Sequence, residues 1–207
     1  MGFEEAFAKL PLVAILRGLR PDEALDVATA LFDAGFRILE VPLNSPSPLE
    51  SIERVAARFA TRMLIGAGTV LDTQAIAQIA EAGARLVVSP NFEAEVVREA
   101  KRRGLVSIPG VATPSEAFAA LDAGADALKL FPAEMIAPKV VRSIRAVLPK
   151  ATRLIPVGGI APGNIPAYRE AGANGFGIGS ALFKPGMPVD EVAAAAKKFV
   201  EVMGNSG

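Results

Sequence analysis

One phrase recurs along this chain: a helical run, a small residue with glycine, then a short apolar run. It appears as "LFDAGFRILEVPLN", "IAEAGARLVVSPN", "AKRRGLVSIPG", "ALDAGADALKLFP" and "YREAGANGFGIGS". Each helical run ends at Gly35, Gly83, Gly104, Gly124 or Gly172, in the position after a helix where left-handed backbone favours glycine. The run that follows is almost wholly apolar rather than alternating, as a parallel strand covered on both faces requires. Three more such runs, "LVAILRG", "MLIGAGTV" and "LIPVGG", fit between them. The pattern predicts eight strands: Leu12–Gly18, Phe36–Leu43, Met63–Thr69, Leu86–Pro90, Val106–Pro109, Ala127–Phe131, Leu154–Val157 and Gly175–Gly179. Helical stretches with polar starts, such as "PDEALDVATALFDAG" and "PSEAFAALDAG", separate them. Eight alternating units predict a (β/α)8 TIM barrel, α/β in class, as a single domain over residues 1–207. An extra N-terminal helix precedes the first strand and is expected to close the bottom of the barrel. An open doubly wound sheet is the alternative, which a count of eight disfavours.

Composition narrows the chemistry. Lysine plus arginine and aspartate plus glutamate both number 22, so the formal net charge is zero, without the basic excess of a nucleic-acid or anionic-membrane binder. No apolar run approaches the roughly 18 residues of a membrane span. The start, "MGFEEAFAKLP", lacks the basic and apolar regions of a signal peptide. A cytoplasmic protein is expected. Cysteine and histidine are both absent, which excludes thiol nucleophiles, thiolate or imidazole metal sites and a Ser-His-Asp triad. Catalysis is left to lysine, arginine, carboxylates, hydroxyls and the backbone.

Three charges stand toward the C-terminal ends of the expected strands, where barrel enzymes place their chemistry: Arg17, Glu40 and Lys129. Arg37, Arg85, Asp126 and Arg153 stand at strand starts, where solvation or stability accounts for them. Glu40 lies five residues past Gly35 and Lys129 five past Gly124, so they share one rung of equivalent units on the second and sixth strands. Alternation turns Glu40 and Lys129 inward, together with Ile38, Pro42, Ala127 and Phe131, and turns Leu39, Val41, Leu128 and Leu130 toward the helices. A buried ammonium tends to lose its proton, and a neutral amine in a dry site is a nucleophile. One reading is a Schiff-base lysine with a carboxylate proton shuttle. The other is a buried ion pair that only fills the interior, although such pairs gain little net stability.

Two glycine segments, "PVGGIAPGN" and "GIGSALF", follow the seventh and eighth strands. Gly158, Gly159, Gly179 and Ser180 would offer backbone N–H groups there, the latter two opening a short helix, in the loops that commonly hold phosphate in barrels. Ordinary tight turns are the plainer reading. "GFGIGS" is no dinucleotide fingerprint, because its glycines run through the strand. "GAGTV" after the third strand forms another glycine wall, with Thr69 as a hydrogen-bonding group.

With these segments assembled, the chain resembles the KDPG/KDPGal aldolases, class I aldolases of 2-keto-3-deoxy-6-phospho sugar acids. "ILRG", "EVPLNSP", "LIGAGTV", "SPN", "PGVATPSEA", "ALKLFP", "PVGGI" and "GIGS" run through almost the whole sequence in that family's order. The resemblance implies Lys129 as the Schiff-base lysine and Glu40 as the acid/base. It puts Arg17 and Thr69 at the pyruvate half, Asn44 and Pro90 beside the substrate, and Gly158, Gly159, Gly179 and Ser180 at the phosphate. Where gluconate-type members carry Arg-Thr-Pro and a threonine before the Gly-Gly, this chain has Asn44-Ser45-Pro46 and Val157. Both choices resemble the galactonate type, so the implied substrate is 2-dehydro-3-deoxy-6-phosphogalactonate, with the gluconate epimer as the alternative. A phosphate-binding isomerase or sugar-phosphate sensor without imine chemistry is the more distant alternative. The resemblance further implies a homotrimer that needs no metal and no cofactor. One departure is Ala133-Glu134 after "LFP", where the family commonly has small hydroxyl residues.

Overall fold

The computed structural model describes residues 1–204 of the chain. Helices alternate with parallel strands throughout, an α/β architecture. In chain order the first half holds α1 (Phe3–Lys9), β1 (Leu12–Ile15), α2 (Ala24–Ala34), β2 (Ile38–Pro42), α3 (Pro48–Phe59), β3 (Leu64–Gly68), α4 (Gln74–Glu81) and β4 (Leu86–Val88). Next come α5 (Ala94–Arg102), β5 (Val106–Ile108), β6 (Gly110–Val111), α6 (Pro114–Asp122) and β7 (Leu128–Leu130). The chain continues with α7 (Pro138–Val147), β8 (Leu154–Pro156), α8 (Ile165–Glu170), β9 (Phe176–Ile178) and α9 (Val189–Gly204).

Six strands pair in the order β5-β4-β3-β2-β1-β9, and three more in the order β6-β7-β8. Hydrogen bonds run between the two sheets on both sides. Val157, just past β8, bridges Gly177 of β9. On the other side the N–H of Asp126 donates to the Ser107 carbonyl at 3.0 Å, and that of Lys129 to the Pro109 carbonyl at 2.9 Å. The fifth expected strand, Val106–Pro109, is present as β5; past Pro109, which has no N–H to give to a ladder, the short strand β6 continues beyond the expected range. The sixth expected strand is β7.

All five repeat glycines adopt left-handed backbone, with φ between 72° and 114°. Each helix closes in the same way. At the first, the Gly35 N–H donates to the Phe32 carbonyl at 3.0 Å and the Phe36 N–H to the Leu31 carbonyl at 2.9 Å. This doubled closure satisfies the last helical carbonyls and delivers the chain directly into a strand. The "TPSEA" segment starts α6 with a capping box, in which Thr113 Oγ1 accepts from the Glu116 N–H and Glu116 accepts from the Thr113 N–H.

Apolar side chains divide into two layers. Leu39, Val41, Leu128 and Leu130 belong to the larger cluster, between strands and helices. Val13, Ile15, Ile38, Leu64, Leu86, Val88, Ile108, Ala127 and Ile155 form a separate inner cluster with Phe3, Ala6 and Phe7 of α1. Helix α1 thus plugs one end of the strand assembly. Two of the strand-start charges are accounted for locally: Arg153 forks onto Glu4 of α1, and Arg37 donates to the Phe32 and Phe36 carbonyls. The first strand ends earlier than expected. The Leu16 N–H still donates to the Glu40 carbonyl, but Gly18 turns away with φ 85°, so Arg17 stands in a turn beyond the strand.

Candidate active site

Glu40 lies at the middle of β2, in register with Ile15 of β1 and Gly66 of β3. Lys129 lies at the middle of β7, in register with Gly110 of β6 and Ile155 of β8. Glu40 is 2% exposed and Lys129 6%. Despite that burial no ion pair joins them, and Glu40 Oε2 has no hydrogen-bond partner among the described residues. Its space exists because residue 68 is glycine: a Cβ there would fall 1.8 Å from Oε2. A methyl group at Gly68 would displace the carboxyl.

Burial without a partner disfavours the charged form of both groups. It raises the Glu40 pKa to about 7, against the opposing pull of Lys129 and Arg17. It also lowers that of Lys129, with the positive charge of Arg17 adding to the effect and Glu40 opposing it. The Lys129 nitrogen stands 4.6 Å from the Phe131 ring centroid. A carboxyl that titrates near neutrality beside an amine pushed toward its free-base form can exchange protons and attack a carbonyl.

Above them opens a cavity of about 310 Å³. Arg17, Lys129, Val157, Gly158, Gly159, Gly179 and Ser180 line it, as do Ile15, Phe131, Glu134, Ile160, Ala161 and Ala181. Gly158 and Gly159 are both left-handed, at φ 106° and 64°. Asn164 pins their loop, donating to the Gly159 carbonyl at 2.8 Å and accepting from the Ala161 N–H at 3.0 Å. The short helix expected after the eighth strand is absent. Instead one turn forms, in which the N–H groups of Leu182 and Phe183 converge on the Gly179 carbonyl. An anion here would meet individual backbone donors rather than a helix end.

Four of the expected residues, Glu40, Asn44, Thr69 and Pro90, do not line this cavity. Asn44 Oδ1 accepts from Arg17 Nη1 at 2.8 Å, and Ser45 Oγ accepts from the Gly18 N–H at 2.9 Å. Asn44 therefore holds the guanidinium rather than facing the cavity. Thr69 follows Gly68 with left-handed backbone, φ 55°, a costly conformation for a non-glycine residue. The Pro90 carbonyl abuts Gly110, where a Cβ would fall 2.2 Å away. Ile15, Ile160, Ala161 and Ala181 carried no chemical signal in the sequence. Only Ile15, two residues before Arg17, was accessible through strand alternation. A larger cleft of about 550 Å³, lined by Ala56, Gly83, Arg85 and Arg103 among others, lies at the starts of the strands and contains neither Lys129 nor Glu40.

The KDPG and KHG aldolase family model matches residues 3–196. The chain belongs to this family. As an aldolase it is a carbon–carbon lyase. It is 48% identical over 186 residues to a probable 2-dehydro-3-deoxy-6-phosphogalactonate aldolase of Rhizobium meliloti, covering 90% of this chain and 88% of that one. It is 45% identical over 193 residues to the 2-dehydro-3-deoxy-6-phosphogalactonate aldolase of Escherichia coli K12, covering 93% and 94%. A solved structure of native KDPGal superposes with a TM-score of 0.94 at 44% identity, covering 95% of this chain and 96% of that one.

Proposed function

We propose that the protein is a class I aldolase cleaving 2-dehydro-3-deoxy-6-phosphogalactonate to pyruvate and D-glyceraldehyde 3-phosphate. The observation that carries this reading is the buried, unpaired state of Lys129 and Glu40 beneath a mouth lined by Arg17 and by paired glycines. A permanent ion pair, as a non-catalytic barrel would use to neutralise these charges, is not formed. Neutral Lys129 attacks the C2 ketone. Glu40, directly or through a water, donates the proton with which water leaves the carbinolamine, then takes the C4 hydroxyl proton as the C3–C4 bond breaks into the protonated imine. The resulting enamine is protonated at C3 and hydrolysed to pyruvate, which restores the amine. Arg17, steadied by Asn44, neutralises the substrate carboxylate with its planar fork. Gly158, Gly159, Gly179 and Ser180 receive the phosphate, while Thr69 and Pro90, which lie outside the cavity lining, are assigned no contact with the substrate.

The epimer is chosen at Val157. This side chain lines the cavity and offers no hydrogen bond where the C4 hydroxyl lies. Apolar contacts discriminate by only about 10–200-fold, so residual cleavage of the gluconate epimer is expected. In the same reading the strands close into one eight-stranded barrel, supported by the Val157–Gly177 bridge and by the bonds from Asp126 and Lys129 to Ser107 and Pro109. The chain is one cytosolic domain that assembles as a homotrimer.

Borohydride reduction with pyruvate tests the mechanism. Mass spectrometry should find one pyruvyl adduct on Lys129 and none after Lys129→Ala; stoichiometric labelling of another lysine, such as Lys184, refutes the assignment. For the substrate, kcat/KM on the two epimers should favour the galactonate acid, and Val157→Thr should shift the ratio toward the gluconate acid. A wild type that prefers the gluconate epimer overturns the substrate while leaving the imine chemistry intact.

A further inference from the structure

The loop after β7 carries an acid that the proposed reaction does not use. Glu134 lines the mouth cavity and is exposed to solvent. The residue before it is anchored twice. The Ala133 N–H donates to the Val157 carbonyl at 2.8 Å, and the Tyr168 hydroxyl donates to the Ala133 carbonyl at 2.8 Å. The carboxylate itself has no hydrogen bond or ion pair among the described residues. Even so, it lies directly on the glycine pair. A Cβ on Gly158 would fall 2.3 Å from Glu134 Oε2, and one on Gly159 would fall 2.9 Å from its Cγ. A side chain at residue 158 or 159 would make this exposed acid swing aside.

Those glycines belong to a loop equipped to receive an anion. Gly159 and Ile160 donate no backbone hydrogen bond within the described residues. A carboxylate resting against such a loop acts on an incoming phosphate by like-charge repulsion, and the cavity's own cation, Arg17, serves the other half of the substrate.

Resting on the aldolase reading above, we propose that Glu134 is a specificity-determining residue whose carboxylate opposes capture of the substrate's terminal phosphate at Gly158 and Gly159. It thereby sets how strongly the enzyme prefers phosphorylated over unphosphorylated acids. Binding that is equal in ground state and transition state lowers KM without raising kcat. The same phosphate is carried by substrate and by the three-carbon product. An acid that loosens its grip therefore raises KM and speeds product departure together.

Glu134→Gln keeps the shape and removes the charge. The test measures kcat/KM for the phosphorylated acid and its unphosphorylated counterpart, with inorganic phosphate as a competing anion, at low and high salt. The ratio of the two kcat/KM values should rise about 5- to 30-fold, the effect of one carboxylate on a dianion a few ångströms away under water-like screening. KM should carry the change, phosphate should inhibit at correspondingly lower concentration, and added salt should shrink the difference. An unchanged ratio means that the charge is spent on solvent and overturns the proposal. A falling ratio means that Glu134 grips the phosphate end through hydrogen bonds and overturns it too.

Tyr168, the only tyrosine in the chain, reports the position of the charge independently. Burial first, and the Glu134 charge second, hold its phenol above the usual range. Its tyrosinate absorbance should therefore titrate earlier in Glu134→Gln. A shifted titration with an unchanged ratio overturns the selectivity role although the carboxylate lies as described. Pyruvate–borohydride trapping on the same wild-type sample separates the two levels of the argument. No adduct overturns the aldolase reading and this inference with it, whereas an adduct with an unchanged ratio overturns only the role of Glu134.

Discussion

Lys101 and Lys129 each lie near one carboxylate, and the two couples behave in opposite ways. Lys101, on α5, reaches both oxygens of Asp126 at 2.8 and 2.7 Å, and Asp126 also accepts from the Ser107 N–H at 2.8 Å. The lysine and aspartate side chains are 36% and 28% exposed. Lys129 and Glu40 are far more buried, yet no ion pair joins them. Physical economy would predict the reverse, because the need for a partner grows with burial. The half-exposed couple at the strand starts has the contacts of a structural tie. In the proposed mechanism the buried couple at the strand centres keeps its reactivity, at a cost in stability that the surrounding core must carry.

The largest test of this contrast exchanges the roles of the lysines. Lys129→Ala should lower kcat by about 10⁴-fold or more, the scale seen when a covalent nucleophile is removed. Lys101→Ala should leave turnover at the wild-type level. A Lys129→Ala enzyme that retains substantial activity would dissolve the distinction.

The acids come next. Glu40→Gln should cost on the order of 10²–10⁴-fold in kcat as a proton shuttle is lost, with the fold retained. Asp126→Asn should alter stability alone. Gly68→Ala offers a subtler break, because it leaves Glu40 in the sequence but places a methyl group where its carboxyl stands. Turnover should fall toward that of Glu40→Gln. If Gly68→Ala is fully active, the carboxyl does not work from the position described.

A third test reads the unpaired burial of Glu40 as a pH-dependent stability. Its pKa is 4.5 for the free group and about 7 in the fold, with burial as the main cause. Between those values the folded state keeps a proton that the unfolded state releases. The contribution of Glu40 is therefore fully present below pH 4.5 and is lost as pH rises through about 7. The shift corresponds to about 3 kcal/mol of unfolding free energy. Denaturant titrations across this window should show Glu40→Gln with a flatter profile than wild type by that order. Coincident profiles would mean that the carboxyl finds a partner in solution.

Much of this arrangement was legible because it follows from periodicity. The five glycines announced five helix ends, and alternation along "RILEVP" and "ALKLFP" turned Glu40 and Lys129 inward without reference to any other strand. What depended on distance between chain segments was not legible. Nothing in the spacing of "ILRG" reveals that Gly18 turns the strand off early, leaving Arg17 in a loop where Asn44 holds it. Two residues on one rung can pair or stand apart, and strand tilt decides which. The sequence put Glu134 near the mouth, but whether it would meet the phosphate loop or point to solvent was hidden, because that depends on how the loop after β7 leans toward the loop after β8. The break at Pro109 was visible as a residue but not as an interruption, since a proline can also end a strand.

The smallest expected effect belongs to the paired couple. A double-mutant cycle with Lys101→Met and Asp126→Asn isolates their interaction from the bond that Asp126 keeps with the Ser107 N–H. Methionine preserves most of the packing of the lysine stem, so loss of packing does not masquerade as loss of charge. Half-exposed partners gain Coulomb energy in a high dielectric and give back side-chain entropy, so the coupling should be about 0.5 kcal/mol and no more than about 1. It should weaken further as salt shortens the screening length. A coupling of about 3 kcal/mol or more, insensitive to salt, is the behaviour of a buried pair whose partner cannot be removed without stranding a charge. That result would place Lys101 and Asp126 in the same energetic class as Lys129 and Glu40, and exposure would no longer explain why one couple closed and the other stayed open.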